Sequence, residues 1–200
     1  GYAEYVVAPM YALAAVPEEI SSPEAGPLLC AGITTFNSLR NSGAVAGDLV
    51  AVQGIGGLGH LGVQFASRMG FRTVAISGGP DKRDLALKLG AHEYIDAREV
   101  DAAKALAAMG GARVILATAP NAKLMSSVID GLGIGGKLLV VGASTEPIEV
   151  TPLQLLRARR SVAGWPSGHA KDSEEAMAFA ALTGVRPMIE RMPLEAAAAA

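Results

Sequence analysis

A glycine-rich turn at 54–59 is the segment of this chain that best suits the binding of a phosphate group. It follows an apolar run over 48–53 and leads into an amphipathic helical pattern over 60–70. In that setting the backbone N–H groups of the turn and the positive end of the helix lie where a pyrophosphate can bind. The alternative is that the glycines merely make a strand-to-helix turn. The flanking elements favour a dinucleotide-binding turn formed by Gly54, Ile55, Gly56, Gly57, Leu58 and Gly59.

The three spaced glycines have separate roles in such a site. Gly54 permits the tight turn, Gly56 lets the backbone approach the pyrophosphate, and Gly59 allows the helix to pack closely on the strand. A bulky side chain at position 56 is therefore expected to block the cofactor. His60 follows on the first helical turn, and we expect its ring to face solvent because the helix amides already satisfy the anion.

The end of the second predicted strand bears on the choice between NAD and NADP. An acidic residue about 20 positions after the glycine fingerprint commonly binds the ribose hydroxyls of NAD. Ser77 occupies that place, and Lys82 and Arg83 follow it. A hydroxyl and two cations suit the 2′-phosphate of NADP, which we therefore prefer. NAD stays open, because the two cations could instead be solvated residues of a helical first turn after an Asp81 cap.

Predicted strands and helices alternate along most of the chain. Continuous apolar runs are typical of strands covered by helices on both faces. The alternation predicts an α/β fold, a Rossmann-type doubly wound six-stranded parallel sheet with its ligand site at the carboxyl edge. Strands are predicted near 48–53, 72–77, 93–96, 112–118, 136–142 and 161–164, and helices near 57–69, 81–90, 99–109, 121–131, 152–159 and 170–183. Candidate site residues at the ends of the fourth and fifth strands are Ala117, Thr118, Val141, Gly142 and Ala143.

The two ends of the chain depart from this alternation. Residues 1–9 read as a strand, and 1–20 are assigned to the tail of another domain that precedes a dinucleotide-binding domain over 21–200. The closing alanines at 196–200 indicate a helix that is cut short. We therefore expect the chain to be a fragment.

A helical region is predicted between these two domains. Ser22 is expected to cap a helix that Gly26 and Pro27 interrupt, and a second helix is expected over 30–41. This region leads into the first strand of the sheet.

Composition limits the classes of partner. The chain has 200 residues, half of them apolar, and a net charge of −2. Its charges are interspersed, so nucleic acid is excluded, and the one dense basic cluster at 157–160 is interpreted as a solvated helix end. We expect no membrane association, because no 18-residue apolar span is present. Cys30 cannot form an internal disulfide, which favours a cytoplasmic setting.

Four strings of the sequence resemble the zinc-dependent medium-chain alcohol dehydrogenases. They are PLLCAGITT at 27–35, GIGGLGHLG at 54–62, LKLGA at 87–91 and GWPSG at 164–168, and they follow the order of that family. The resemblance implies an enzyme that transfers a hydride between a nicotinamide cofactor and an alcohol or aldehyde, with zinc as Lewis acid. This chain would be its cofactor-binding part, inactive on its own.

The resemblance also implies roles for particular residues. Cys30 would be one ligand of the catalytic zinc, and Thr34 would lie near the nicotinamide. Residues 141–143 would run under the nicotinamide ring. Residues 1–20 would be the end of a truncated, GroES-like catalytic domain, and the edge strand near 161–164 could form a homo-oligomer interface.

Other interpretations stay open. Taken alone, Cys30 would be a small buried hydrophobe, and the hydroxyl of Thr34 would bond back within its helix. His92 and His169 are expected at the surface and not as metal ligands. A zinc-free quinone or enoyl reductase of the same superfamily, which would usually lack a cysteine at position 30, is one alternative function. A non-catalytic dinucleotide-binding module is the other.

Overall fold

The alternation of strands and helices continues through most of the computed structural model, which describes residues 5–197. Each β-strand is followed by a helix, and most of these helices contribute apolar side chains to the two hydrophobic clusters of the core. The strands are β1 (Leu49–Gln53), β2 (Arg72–Ser77), β3 (Glu93–Asp96), β4 (Ala112–Ala117), β5 (Leu132–Val140) and β6 (Ser161–Gly164). The helices are α1 (Ser22–Pro27), α2 (Ile33–Arg40), α3 (Gly59–Arg68), α4 (Arg83–Lys88), α5 (Ala102–Ala108), α6 (Ala122–Ser127), α7 (Pro152–Leu156) and α8 (Ala170–Thr183).

The six strands form one parallel sheet in the order β3-β2-β1-β4-β5-β6. β1 is central, with β2 on one side and β4 on the other. The chain therefore winds outward in both directions from β1, which opens a crevice at the carboxyl ends of β1 and β4. The predicted doubly wound, Rossmann-type sheet is confirmed.

The helical region before the sheet is continuous, so the predicted interruption at 26–27 is wrong. α1 starts one residue after Ser21, whose N–H and hydroxyl both donate to the carboxylate of Glu24, at 3.0 and 2.6 Å. Ser21 therefore caps the helix in place of Ser22. The proline at 27 removes one backbone donor, and the chain continues through a widened π-helical turn at Leu28–Gly32 into α2.

β5 starts four residues earlier than the sequence predicts. Leu132 lies opposite Ala112, and the register then shifts until Lys137 lies opposite Val114. Gly135, inside the irregular stretch, has a φ of +68°, which glycine adopts without strain. The glycines that obscured the strand in the sequence thus form a bulge within it.

α8 packs over α2 and α3 through an aromatic cluster. The ring of Phe179 lies 5.3 Å from the ring of Phe36 and 5.9 Å from that of Phe65. Arg40 of α2 forms ion pairs with Asp172 and Glu175 of α8. The helix that follows the glycine turn is therefore held from its outer side.

Two expectations at the ends of the chain have different outcomes. The predicted strand at 1–9 is wrong over 5–9, which have no regular structure, and its residues 1–4 lie outside the described part. Most of the predicted helix at 196–200 also lies outside it. Within the described residues, no helix has the length and apolar character needed to cross a bilayer.

The basic cluster at 157–160 is only partly solvated. The guanidinium of Arg160 donates to the carboxylate of Asp130 at 2.7 Å and to the carbonyl of Leu132 at 2.9 Å. Its side chain is 13% exposed. Arg160 therefore ties the end of α7 to the start of β5.

Candidate functional site

The turn between β1 and α3 presents a row of unpaired backbone N–H groups. Gly54 has a φ of +91°, and its N–H donates to the carbonyl of Ile76 at 2.8 Å. The next five amides, at 55–59, donate to no acceptor among residues 5–197. They gather at the positive end of α3, where an anion can supply the missing acceptors.

The glycines of the turn are required for different reasons. A Cβ built on Gly59 would overlap the carbonyl oxygen of Gly54 and lie 2.8 Å from its carbonyl carbon. A Cβ on Gly54 would lie 2.9 Å from the Cβ of Ala119. A Cβ on Gly56 would meet nothing within 4 Å. The fold itself therefore needs glycine at 54 and 59, whereas Gly56 leaves open space in front of the turn.

Thr118 holds the turn from the neighbouring strand end. Its hydroxyl lies 2.8 Å from the carbonyl oxygen of Gly54 and 2.9 Å from that of Gln53, and its own N–H donates to Gln53 at 3.0 Å. The side chain is buried. The predicted site residue Thr118 thus acts on the backbone of the turn.

A pocket of about 600 Å³ opens in front of this turn, at the carboxyl ends of β1, β2 and β4. Its size is within the usual range for small-molecule sites. Of the predicted site residues, its wall includes Gly54, Ile55, Gly56, Gly57, Leu58, Ser77, Lys82 and Thr118. The wall does not include Cys30, Thr34, Gly59, Ala117, Val141, Gly142 or Ala143.

The end of the pocket beside β2 is cationic. Lys82 reaches back to the turn, where its Nζ donates to the carbonyl of Ile55 at 3.0 Å. Arg98 lies over Gly78, with its Nε 3.2 Å from the position of a Cβ at that glycine. Ser77 belongs to the same wall, and no carboxylate is present among the described lining residues. This end can therefore accept a phosphate.

Arg98 was missed because its part of the site is set by the order of strands. Ser77 lies opposite Asp96 in the β2–β3 register, so the residues just after β3 reach the same pocket. The Asp96 carboxylate accepts the N–H of Arg98 at 2.9 Å and that of Gly79 at 2.8 Å, and these two bonds lower its pKa. Arg83, by contrast, is exposed and absent from the pocket wall, so the predicted pair of cations is divided.

The residues implied by the resemblance lie in the helical region before the sheet. Cys30 is exposed in the π-helical turn, so the buried interpretation is wrong, and such turns are frequent at functional sites. Thr35 makes the intrahelical bond, to the carbonyl of Ala31 at 2.8 Å, whereas Thr34 shows no hydroxyl partner among the described residues. No group of three potential metal ligands occurs within 5–197.

The segment after β5 is locked onto the end of β4. The N–H groups of Val141 and Gly142 both donate to the carbonyl of Ala117, at 3.1 and 2.9 Å. A Cβ on Gly142 would lie 2.7 Å from the carbonyl oxygen of Thr118. Of the three predicted residues, Ala143 alone keeps an N–H without a partner in the described part of the chain.

The histidines have different environments. The expectation that His60 faces solvent is wrong, because its ring is buried between backbone groups of Gly56 and Met188. Its position on α3 directs it into the protein, away from the pocket. His92 and His169 are exposed, as predicted.

Residues 57–182, well over half of the chain, match the family described as zinc-binding dehydrogenase. The chain belongs to the zinc-dependent medium-chain alcohol dehydrogenase family. The chain is 46% identical over 197 residues to an alcohol dehydrogenase of an Aspergillus species. That alignment covers 98% of this chain and 58% of the Aspergillus protein. The chain is 38% identical over 196 residues to an alcohol dehydrogenase of Geobacillus stearothermophilus, with the same two shares.

Two solved structures have the same fold as this chain. A cinnamyl alcohol dehydrogenase of Sorghum bicolor superposes with a TM-score of 0.85 at 31% identity, over 93% of this chain and 53% of that one. A quinone oxidoreductase of Thermus thermophilus, solved free and with NADPH, gives 0.78 at 30% identity, over 92% and 62%. This member of the family spans little more than half the length of its curated relatives.

Proposed function

We propose that this chain is the dinucleotide-binding part of an NADP-dependent alcohol dehydrogenase that interconverts an alcohol and an aldehyde. One observation carries the proposal: of the five unpaired amides at 55–59, those at 55–58 belong to residues that line a pocket, and Gly56 leaves room there for a ligand. Relatives named alcohol dehydrogenase that match 98% of the chain support the reaction class.

In this proposal the residues of the chain bind the dinucleotide and orient its nicotinamide ring. The chemistry that a bound nicotinamide dinucleotide supplies is hydride transfer to or from a substrate carbon. The amides at 55–59 hold the pyrophosphate, and Thr118 keeps the turn in the binding conformation. Thr34 and residues 141–143 stay predicted neighbours of the nicotinamide, a role that rests on the resemblance.

The cationic end of the pocket supports NADP over NAD. Lys82 and Arg98 both line it, and the described wall offers no carboxylate to ribose hydroxyls. A 2′-phosphate would satisfy the two cations together with the hydroxyl of Ser77. The ribose of NAD carries no phosphate and therefore offers these two cations no negative charge to pair with.

The described residues do not make a zinc site. Catalytic zinc takes three protein ligands and keeps one position open. Residues 5–197 contribute one thiol, Cys30, with no further ligands grouped around it. We assign no catalytic step to zinc here, and we propose Cys30 as one ligand of a site that other parts of the enzyme complete.

Calorimetric titration with NADPH and NADH tests the cofactor assignment. We expect NADPH to bind at least tenfold more tightly, a difference of about 1.4 kcal/mol. Ser77→Asp should cancel or reverse the preference, because a carboxylate repels the 2′-phosphate. Ser144→Asp, an exposed position outside this pocket, is the matched control. Tenfold tighter binding of NADH by the unaltered chain would refute the assignment.

Two other functions are separated by measurements on the full-length enzyme. A zinc-free quinone reductase is the second candidate, because a quinone oxidoreductase shares the fold. Zinc bound by the full-length protein would exclude it, and Cys30 favours that result. Alcohol turnover by the full-length protein would exclude a non-catalytic dinucleotide-binding module.

Exposed apolar groups support two further proposals. Residues 1–20 are proposed as the end of a GroES-like catalytic domain, since apolar side chains of this segment are exposed and await a partner surface. Among the described residues they are Tyr5, Val6, Val7, Met10, Tyr11, Leu13 and Val16. The open edge of β6, with exposed Leu156 nearby in sequence, is proposed as a homo-oligomer interface, to be checked by sedimentation. A cytoplasmic setting stays a prediction.

A further inference from the structure

His60 joins two backbone segments that are far apart in sequence. Its Nδ1 lies 3.1 Å from the carbonyl oxygen of Gly56, and its Nε2 lies 3.0 Å from the backbone nitrogen of Met188. The residue is 7% exposed. A buried imidazole with both ring nitrogens hydrogen-bonded has a fixed orientation and a single tautomer.

The partners decide which nitrogen carries the proton. The backbone N–H of Met188 can only donate, so Nε2 must accept with its lone pair. The neutral ring therefore holds its proton on Nδ1, which donates to the carbonyl of Gly56. The backbone N–H of His60 donates to the same carbonyl at 2.9 Å. Two donors of one residue thus hold this carbonyl.

Fixing the Gly56 carbonyl also fixes an amide of the turn. A trans peptide is planar, so the N–H of Gly57 points opposite to the carbonyl of Gly56. Gly57 lies in the pocket wall, and its N–H has no acceptor within the described chain. We propose that His60 is a positioning residue that orients the Gly57 N–H toward the pyrophosphate. This inference rests on the proposed dinucleotide-binding function.

The segment 186–188 keeps the imidazole from turning away. One helical turn after His60, Gln64 donates through Nε2 to the carbonyl of Arg186 at 2.9 Å and accepts the N–H of Arg186 at 3.1 Å. His60 and Gln64 together therefore dock Arg186 and Met188 on α3. The position of the ring depends on this segment as well as on the turn.

Two substitutions separate the two bonds. His60→Asn can place an amide donor where Nδ1 lies and keeps the bond to Gly56, but it does not reach Met188. His60→Gln can place a carbonyl acceptor where Nε2 lies and keeps the bond to Met188, but it loses the bond to Gly56. His60→Leu loses both. Thermal unfolding of each variant reports the structural cost of the lost bonds.

NADPH affinity should follow the Gly56 bond and not the stability. We expect the dissociation constant of His60→Asn to stay within about twofold of the unaltered chain. His60→Gln and His60→Leu should bind roughly fivefold more weakly, the factor of one ordinary hydrogen bond. A purely structural role predicts instead that affinity falls in proportion to the melting temperature of all three variants.

The outcomes distinguish this inference from the function on which it rests. If the unaltered chain binds NADPH while the Asn and Gln variants have equal affinities, the positioning role is overturned. If the unaltered chain fails to bind NADPH, the proposed function itself is overturned. Nitrogen-15 NMR of the ligand-free chain gives a readout without cofactor: a proton on Nε2 of His60 would overturn the role whatever the affinities.

Discussion

Substitution of glycines in the turn at 54–59 separates the needs of the ligand from those of the fold. Gly56→Ala places a methyl group where nothing lies within 4 Å, at a position without a positive φ. Gly59→Ala places the same methyl group against the carbonyl of Gly54. Gly26→Ala, in α1 and outside the pocket, also meets nothing within 4 Å and is the control.

The expected change in the free energy of unfolding differs between these variants. At Gly56, alanine reduces the entropy of the unfolded chain without strain and should stabilise the fold by roughly 0.4–1 kcal/mol. At Gly59, either the Gly54 carbonyl or α3 must move, which should cost about 3 kcal/mol or more. A change of that size lowers the melting temperature of a chain of this length by roughly 6–12 °C.

NADPH binding should fall in Gly56→Ala although its stability does not. A phosphate oxygen must come within about 2.9 Å of an amide nitrogen to bond to it, and the methyl group of Gly56→Ala occupies that approach. We expect its NADPH dissociation constant to rise at least tenfold, about 1.4 kcal/mol. Calorimetric titration and thermal unfolding of all three variants measure both quantities. Unchanged NADPH affinity in Gly56→Ala, with Gly26→Ala as reference, would show that the turn does not grip the pyrophosphate.

Two further predictions concern the hydroxyl of Thr118 and the N-terminal cap of α1. Thr118→Val keeps the side-chain shape but removes the hydroxyl that contacts Gly54 and Gln53, so urea unfolding should show a loss of about 1–2 kcal/mol, and unchanged stability would contradict this role. Hydrogen bonds from the Ser21 hydroxyl and N–H lower the pKa of the Glu24 carboxyl from its ordinary value of 4.5. The ionised carboxylate therefore stabilises the fold at and above that pH, and this stabilisation is lost as the pH falls through the lowered pKa of the folded state. Glu24→Gln should therefore lower the melting temperature at neutral pH, and a difference that persists in strong acid would refute this cause.

The sequence was sufficient wherever the signal is local. β1, the glycine turn and α3 are contiguous, and their apolar runs and glycine spacing predicted the turn with errors of one or two residues. The same holds for β2, β3 and β6, whose apolar runs are uninterrupted. It failed at β5, because glycines that form a bulge in a paired strand have the same composition as a loop.

Contacts across the fold were beyond a reading of the sequence. Thr118 meets Gly54 across 64 residues, and His60 meets Met188 across 128. No spacing rule connects such positions, since their proximity follows from the order of the strands and the packing of the helices. Arg98 belongs to the same class, because it reaches the pocket only through the pairing of β3 with β2.

These long-range contacts have one effect in common on the turn. Its successive carbonyls at 54, 55 and 56 each accept from a side chain: the hydroxyl of Thr118, the ammonium group of Lys82 and the imidazole of His60. The amides at 55–59 remain without partners in the described chain. Because the acceptors of the turn are occupied and its donors are not, the surface left to a ligand is positive. We therefore expect the glycine fingerprint to set the shape of this turn and the three side chains to make it favour an anion.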